Sequence, residues 1–374
     1  MSYYILPKIN NQILINPSIN LETKIQPYIS HSLLHYVNLI TCQINNNIVN
    51  SIDLSFNDYN EIVKLINPCE YIFSKVSGSK YSVSKLKPSS NLFYDFLEVC
   101  SVFNVFENYA DSFINSLHIS ENISDTIECF EILRENYDDK IICYNSFSKE
   151  TIEEINSSDK KFDFLLFERK FEDLNSYFIF LKNCLLTIFK CQLENGSCII
   201  KIDDTFYKPV IDFMYILSSL YDKVYILKPN SSNITTYEKY IVCKKYHVNM
   251  SNTHLSEVNY SSLNKILDND IIYSLLNFDI PYYFISKIDD INVIIGHQQI
   301  ESLNSIINLL KNKNKEDRIE ALKKTNLIKS TSWCEKHKIP YNKFSEKINI
   351  FLPLVNRGNE EDNNNNNNNE LSSE

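Results

Sequence analysis

Glycine is almost missing from this chain, with four in 374 residues. The shortage matters wherever a ligand needs the backbone to come close, because only glycine permits that approach without a side chain in the way. No run comes near 18 uninterrupted apolar residues, so no membrane-spanning helix is expected. No Cys-x-x-Cys pair occurs among the ten cysteines. Neither a zinc site nor a disulfide framework is therefore expected, and a reducing compartment suits them better. Cys129, Cys184, Cys198 and Cys243 sit inside apolar segments, as small core residues do. The opening MSYYILPKINN has no basic stretch followed by a long apolar one, so a signal peptide is not expected.

What is present is globular in character: 44% hydrophobic and 22% charged residues, enough for one large domain with additions. The net charge of −10 argues against a general polyanion binder. Much of that charge is local, however. The tail from Asn356 sets Arg357 against five acids and contains seven consecutive asparagines at 363–369. It reads as low-complexity and disordered, and the body keeps room for a basic patch.

From residue 116 the hydrophobic pattern alternates between strand and helix. Strands are predicted at Ser116–Ser120, Lys140–Tyr144, Phe162–Phe167, Ser197–Ile202, Val224–Leu227 and within Lys239–Lys244, with helices at Thr126–Glu135, Leu174–Cys191 and Pro209–Leu220. In an open α/β sheet, strand ends and the loops after them carry chemistry. Residues 1 to about 60 read as short strands and turns, with a helix at 59–66. After Tyr246 apolar positions at helical spacing (Ile300, Leu303, Ile306, Ile307, Leu310) predict a helical C-terminal region. Trp333, the single tryptophan, reads as a core anchor.

Between Tyr71 and Tyr94 lie Lys75, Lys80, Lys85 and Lys87 with no acid, interleaved with Phe73, Tyr81 and Phe93. Lysines neutralise phosphates and aromatic faces stack on bases, so this segment is a candidate RNA-facing loop as well as an ordinary solvated one.

Three ordered pieces, IIKI (199–202), VYILKPNSS (224–232) and EKYIVCK (238–244), resemble the C-terminal half of the FtsJ-like RNA ribose 2'-O-methyltransferases. The resemblance implies an α/β fold, with a Rossmann-like methyltransferase sheet flanked by helices, an N-terminal strand-rich extension and a C-terminal helical one. The expected division is 1–66, a methyltransferase domain at 67–250, a mainly helical extension at 251–355 and the tail at 356–374. It also implies a Lys-Asp-Lys-Glu tetrad, in which a central lysine of lowered pKa acts on the ribose hydroxyl. Carried onto this chain, the central lysine is Lys201 and the last acid Glu238, while Glu168 stands where the family has aspartate. The first lysine falls on Lys85 or Lys87, although a strict alignment of SSNLFYDFLEV puts Asp95 there. Lys228, with Lys75, Lys80 and Lys87, is an RNA-contact candidate. The family's arginine after KP-x-SS is replaced by Asn233.

The cofactor implied is S-adenosylmethionine, which the family holds on a glycine-rich turn after the first core strand. Here that turn is Glu121-Asn122-Ile123-Ser124-Asp125-Thr126: the acid stays and every glycine is gone. Ile123 and Thr126 are expected to project toward the cofactor, and Asp125 to cap the following helix. Glu121, Asn122, Ser124 and Asn145 are the cofactor-side candidates, with Asn145 where such enzymes carry a carboxylate for the ribose. Two readings follow. One is a divergent cap- or rRNA-type 2'-O-methyltransferase. The other is a pseudo-enzyme that keeps the fold as an RNA-binding or scaffold subunit, paired with an active methyltransferase or capping partner. With WCEKHKIPYN (333–342), the whole also resembles methyltransferase-family proteins of large DNA viruses. That resemblance implies a cytoplasmic site, a viral factory or a virion, and no membrane partner.

Overall fold

The computed structural model describes residues 3–19, 25–50, 56–135, 137–247, 253–268, 270–311 and 316–344. The tail expected to be disordered lies outside the described residues. Along the chain come β1 (Tyr3–Ile5), β2 (Ser18–Ile19), α1 (His31–Asn50), α2 (Phe56–Ile66) and α3 (Leu92–Phe103). The central alternation follows: β3 (Asn115–Ile119), α4 (Ile123–Leu133), β4 (Lys140–Tyr144), α5 (Lys149–Ser157), β5 (Phe162–Phe167), α6 (Leu174–Cys191) and β6 (Gln192–Ile202). Then α7 (Lys208–Leu220), β7 (Tyr221–Leu227), β8 (Lys239–Tyr246), α8 (Thr253–Asn264), β9 (Ile272–Ser274), α9 (Tyr282–Lys311) and α10 (Glu316–Lys336) complete it.

Seven strands form one sheet in the order β1-β7-β8-β6-β5-β3-β4. β4, β3, β5 and β6 run parallel, while β8 lies antiparallel between β6 and β7, and β1 closes the edge against β7. The fold is α/β and Rossmann-like, with helices on both faces. A parallel sheet covered on both faces needs apolar residues at every strand position, and β5 shows how FDFLLF meets that demand. Leu165 and Phe167 join the core that α6 and α7 cover. Phe164 turns the other way and stacks on Phe96 of α3 and Phe130 of α4. His118 is fully buried in that aromatic layer with neither ring nitrogen partnered, and burial pulls its pKa down to about 3, so it stays neutral.

The N-terminal region differs from its strand-and-turn reading. Residues 31–50, including Asn45-Asn46-Asn47, form a helix. Leu33, Val37, Ile40 and Ile44 fall at a helical interval and pack with Leu303, Ile306, Ile307 and Leu310 of α9. Burial of that stripe overrides the weak helix propensity of the asparagines and β-branched residues. The two helices meet closely at Gly296, where a Cβ would lie 2.5 Å from Leu33 Cδ2. Any larger residue there would push them apart. The C-terminal region is mainly helical as the periodicity predicts. Among the described residues no helix is long and apolar enough to cross a membrane.

Candidate active site

Three strand ends converge. β6 delivers Lys201, β5 ends one residue before Glu168, and Glu238 immediately precedes β8. Parallel pairing of β5 with β6 sets Phe167 beside Ile200, and antiparallel pairing with β8 sets Lys201 opposite Tyr240. The Lys201 ammonium therefore lies 3.5 Å from Glu168 Oε1 and 3.2 Å from Glu238 Oε1. Glu168 is nearly fully buried and accepts a 2.7 Å hydrogen bond from Ser120 Oγ at the end of β3.

A further carboxylate completes the surroundings. Asp95 of α3 is buried, accepts from Ser231 Oγ, and accepts from Tyr240 Oη at 3.3 Å. Burial raises its pKa to about 7, against the lowering pull of the Ser231 bond and of Lys201. Burial alone would lower Lys201, but Glu238, Glu168 and Asp95 together outweigh it and hold its pKa above the ordinary value. The lowered lysine implied by the family resemblance is thus reversed here: Lys201 is a fixed cation through neutral pH.

The first-lysine position is taken by Asp95. Lys85 and Lys87 are exposed. The Lys85 backbone N–H is tied to Pro340 O at 2.8 Å, in the lysine-bearing loop and not in the Lys201 cluster. Lys228 departs from its RNA-contact reading too. Its ammonium donates to the carbonyls of Thr236 and Glu238 at 2.8 and 2.9 Å, and burial lowers its pKa to about 7. It braces the loop from inside, where a phosphate has no access to it.

Sequence reasoning did not single out three residues nearby. Glu98 of α3 is wholly buried and accepts from Ser231 N, Asn230 Nδ2 and Trp333 Nε1 at 3.1, 3.0 and 2.9 Å. It fastens the Lys228–Ser232 loop to α10, and Trp333 is the anchor its composition implied. Lys239 is 2% exposed, and burial lowers its pKa to about 8, against the raising pull of Asp204 and Asp203. Asp203 lines a recess with Lys201, Arg169, Lys170, Phe171 and Tyr177. The Asp203-Asp204 pair directly after Lys201 was the available signal for it.

Beside this cluster opens a cleft of about 410 Å³ at the ends of β3, β4 and β5. Glu121, Asn145, Phe147, Arg169, Ile179 and Asn183 are among its walls. Arg169, Glu172 and Phe180 also border the Lys201 recess, so the two spaces adjoin. The glycine-free turn does not obstruct the cleft. Thr126 is fully buried, with its hydroxyl bonded to Ile123 O, and neither residue lines the space. Asn122, not Asp125, occupies the N-cap of α4. Asp125 instead accepts from Ser89 N, Ser89 Oγ and Ser90 Oγ, pinning the turn to the start of α3. Ser124 is bonded to Ser89 and faces away from the cleft. Glu121 and Asn145 thus keep their cofactor-side place, and Asn122 and Ser124 do not.

The donor requirements of the walls fit S-adenosylmethionine. Asn175 Oδ1 and Asn183 Oδ1, one and three turns into α6, are buried in the cleft wall without a hydrogen-bond partner. Buried acceptors of this kind call for a donor. The cofactor's ammonium, amine and ribose hydroxyls supply several, and the volume lies within the usual range for such ligands.

No family model matches the chain. Over 159 residues it is 29% identical to cap-specific mRNA (nucleoside-2'-O-)-methyltransferase 1 of Drosophila melanogaster, covering 38% of this chain. The chain resembles a 2'-O-methyltransferase. It is also 27% identical over 141 residues to uncharacterized protein R383 of Acanthamoeba polyphaga mimivirus, again 38% of this chain. The matches span 20% and 38% of those two proteins. Among solved structures, a ribosomal RNA methyltransferase from Plasmodium falciparum aligns with 42% of this chain and 97% of its own, at 15% identity and a TM-score of 0.33. The sequence likeness to the FtsJ-like methyltransferases therefore reaches beyond the short motifs around Lys201 and Glu238.

The lysine-bearing loop has a defined shape. Val76 N bonds Tyr81 O, Val83 N bonds Tyr71 O, and the C-terminal segment clamps it through Asn342 N to Val83 O. Lys75, Lys80, Lys85 and Lys87 stand exposed, and so do Tyr81 and Phe73.

Proposed function

We propose that this chain is an RNA 2'-O-methyltransferase that uses S-adenosylmethionine. The observation that carries the reading is the Lys201 ammonium held between Glu168 and Glu238 at the strand ends, beside an open cleft with unpartnered acceptors. The cofactor, when bound, supplies a sulfonium methyl as electrophile. Glu121, Asn145, Asn175 and Asn183 would hold it. Glu168, Glu238 and Asp95 keep Lys201 charged, and Lys201 stabilises negative charge developing on the ribose oxygen. The exposed lysines and aromatics at 73–87 bind the RNA backbone and bases. We keep the division at residues 66, 250 and 355 as part of this reading.

A second reading has its own support. The first lysine of the tetrad is replaced by Asp95 and the ribose-binding carboxylate by Asn145, as in a scaffold subunit that pairs with an active enzyme. One experiment separates the two: calorimetry with S-adenosylmethionine, followed by methyl transfer to capped and uncapped RNA. Micromolar binding and transfer that Lys201→Ala abolishes support the enzyme. RNA binding with no cofactor heat and no transfer supports the scaffold.

A further inference from the structure

If a ribose hydroxyl attacks beside Lys201, its proton must go to a base, and the inference below rests on the methyltransferase reading. Lys201 has no lone pair to offer, because its ammonium is paired with Glu168 and Glu238 and faces Asp95. Glu168 is enclosed by Ser120 and Lys201. Asp95 is sealed behind Ser231 and Tyr240. Glu238 is engaged by Lys201.

Asp203 is different. It lines the same recess as Lys201, is half-buried, and among the described residues its carboxylate takes part in no hydrogen bond or ion pair. Its backbone is fixed nonetheless. Asp203 N donates to Tyr177 Oη at 3.2 Å, and that hydroxyl donates to Asp204 O at 3.1 Å. The charged groups around it come from each neighbouring element. β6 and the turn after it give Lys201 and Asp204, Glu238 and Lys239 come from the start of β8, and the segment after β5 gives Arg169, Lys170 and Glu172. We infer that Asp203 accepts the proton of the nucleophilic hydroxyl, while Lys201 acts as a fixed cation. The O–H bond breaks, its electron pair stays on the oxygen that attacks the methyl group, and the proton forms a new bond to an Asp203 carboxylate oxygen. The resulting acid then loses the proton to solvent. Consistent with this role, burial raises the Asp203 pKa to about 7, and Glu238 and Asp204 add to the rise while Lys201 opposes it.

The test uses the full chain and Asp203→Asn. Carboxyl-carbon NMR of the ligand-free protein should show one aspartate that titrates near pH 7, absent from Asp203→Asn and moved upward by Lys201→Met. An Asp203 that titrates near the ordinary value of about 4 would overturn the inference. In single turnover on a short capped RNA, the wild-type rate should rise about tenfold per pH unit below 7 and level off above it. Asp203→Asn should be slower by about a hundred- to ten-thousand-fold, lose that slope, and bind the RNA as the wild type does. Transfer with an unchanged rate and profile in Asp203→Asn overturns this inference alone. No transfer by the wild type overturns the methyltransferase reading and this inference with it.

Discussion

Removing the ammonium at the centre of the carboxylate cluster is the sharpest perturbation available, and Lys201→Met does so with little change in side-chain length. Glu168 and Lys201 are 3% and 13% exposed in their side chains, so the pair is buried and only weakly screened. Breaking one side of a buried pair leaves an uncompensated charge and costs about 3–5 kcal/mol. That is a large fraction of the roughly 5–15 kcal/mol by which a domain is stable. The pH dependence carries a sign. Lys201 has a raised folded pKa, so its contribution is fully present below 10.5 and is lost as pH climbs through the folded value. At the acid end, Asp95 already titrates near 7 and loses in Lys201 one of the influences that lower it. It then takes up a proton at higher pH in the variant, relieving part of the repulsion. Urea denaturation at pH 7.5 should show the full deficit, with a smaller gap between variant and wild type at pH 5.5. Equal midpoints and slopes at both pH values would refute the claim that a buried cation holds this cluster together.

Glu98→Ala should destabilise by about 3–6 kcal/mol, because three donors lose a buried acceptor at about 1–3 kcal/mol each; chemical denaturation measures it. Asn183→Leu should raise the melting temperature slightly by removing an unpartnered buried carbonyl, and weaken S-adenosylmethionine binding about tenfold by calorimetry. Lys80, Lys85 and Lys87 changed together to Glu should weaken RNA binding and flatten its dependence on salt. Unchanged affinity in a filter-binding titration would make residues 73–87 an ordinary surface loop. Gly296→Leu should cost about 1–3 kcal/mol by overpacking α9 against Leu33.

The strands and helices between 115 and 246 were legible because their signals are local. A run such as FDFLLF states its own burial on both faces, and Leu174–Cys191 carries its helical period within itself. The ordered pieces around Lys201, Lys228 and Glu238 were legible for the same reason. The 31–50 helix was not, because its apolar stripe acquires meaning only from α9, more than two hundred residues away.

By itself the sequence determined the α/β order of the core and the convergence of Glu168, Lys201 and Glu238, since parallel pairing brings consecutive strand ends to one edge. Tertiary structure alone decided which charges meet there. Asp95 arrives from α3 and lifts the lysine's pKa instead of letting it fall, Lys228 turns inward to carbonyls, and the glycine-free turn folds away from an open cleft. Those outcomes depend on distances between side chains remote in sequence and on how much water surrounds them, and no periodicity encodes either quantity.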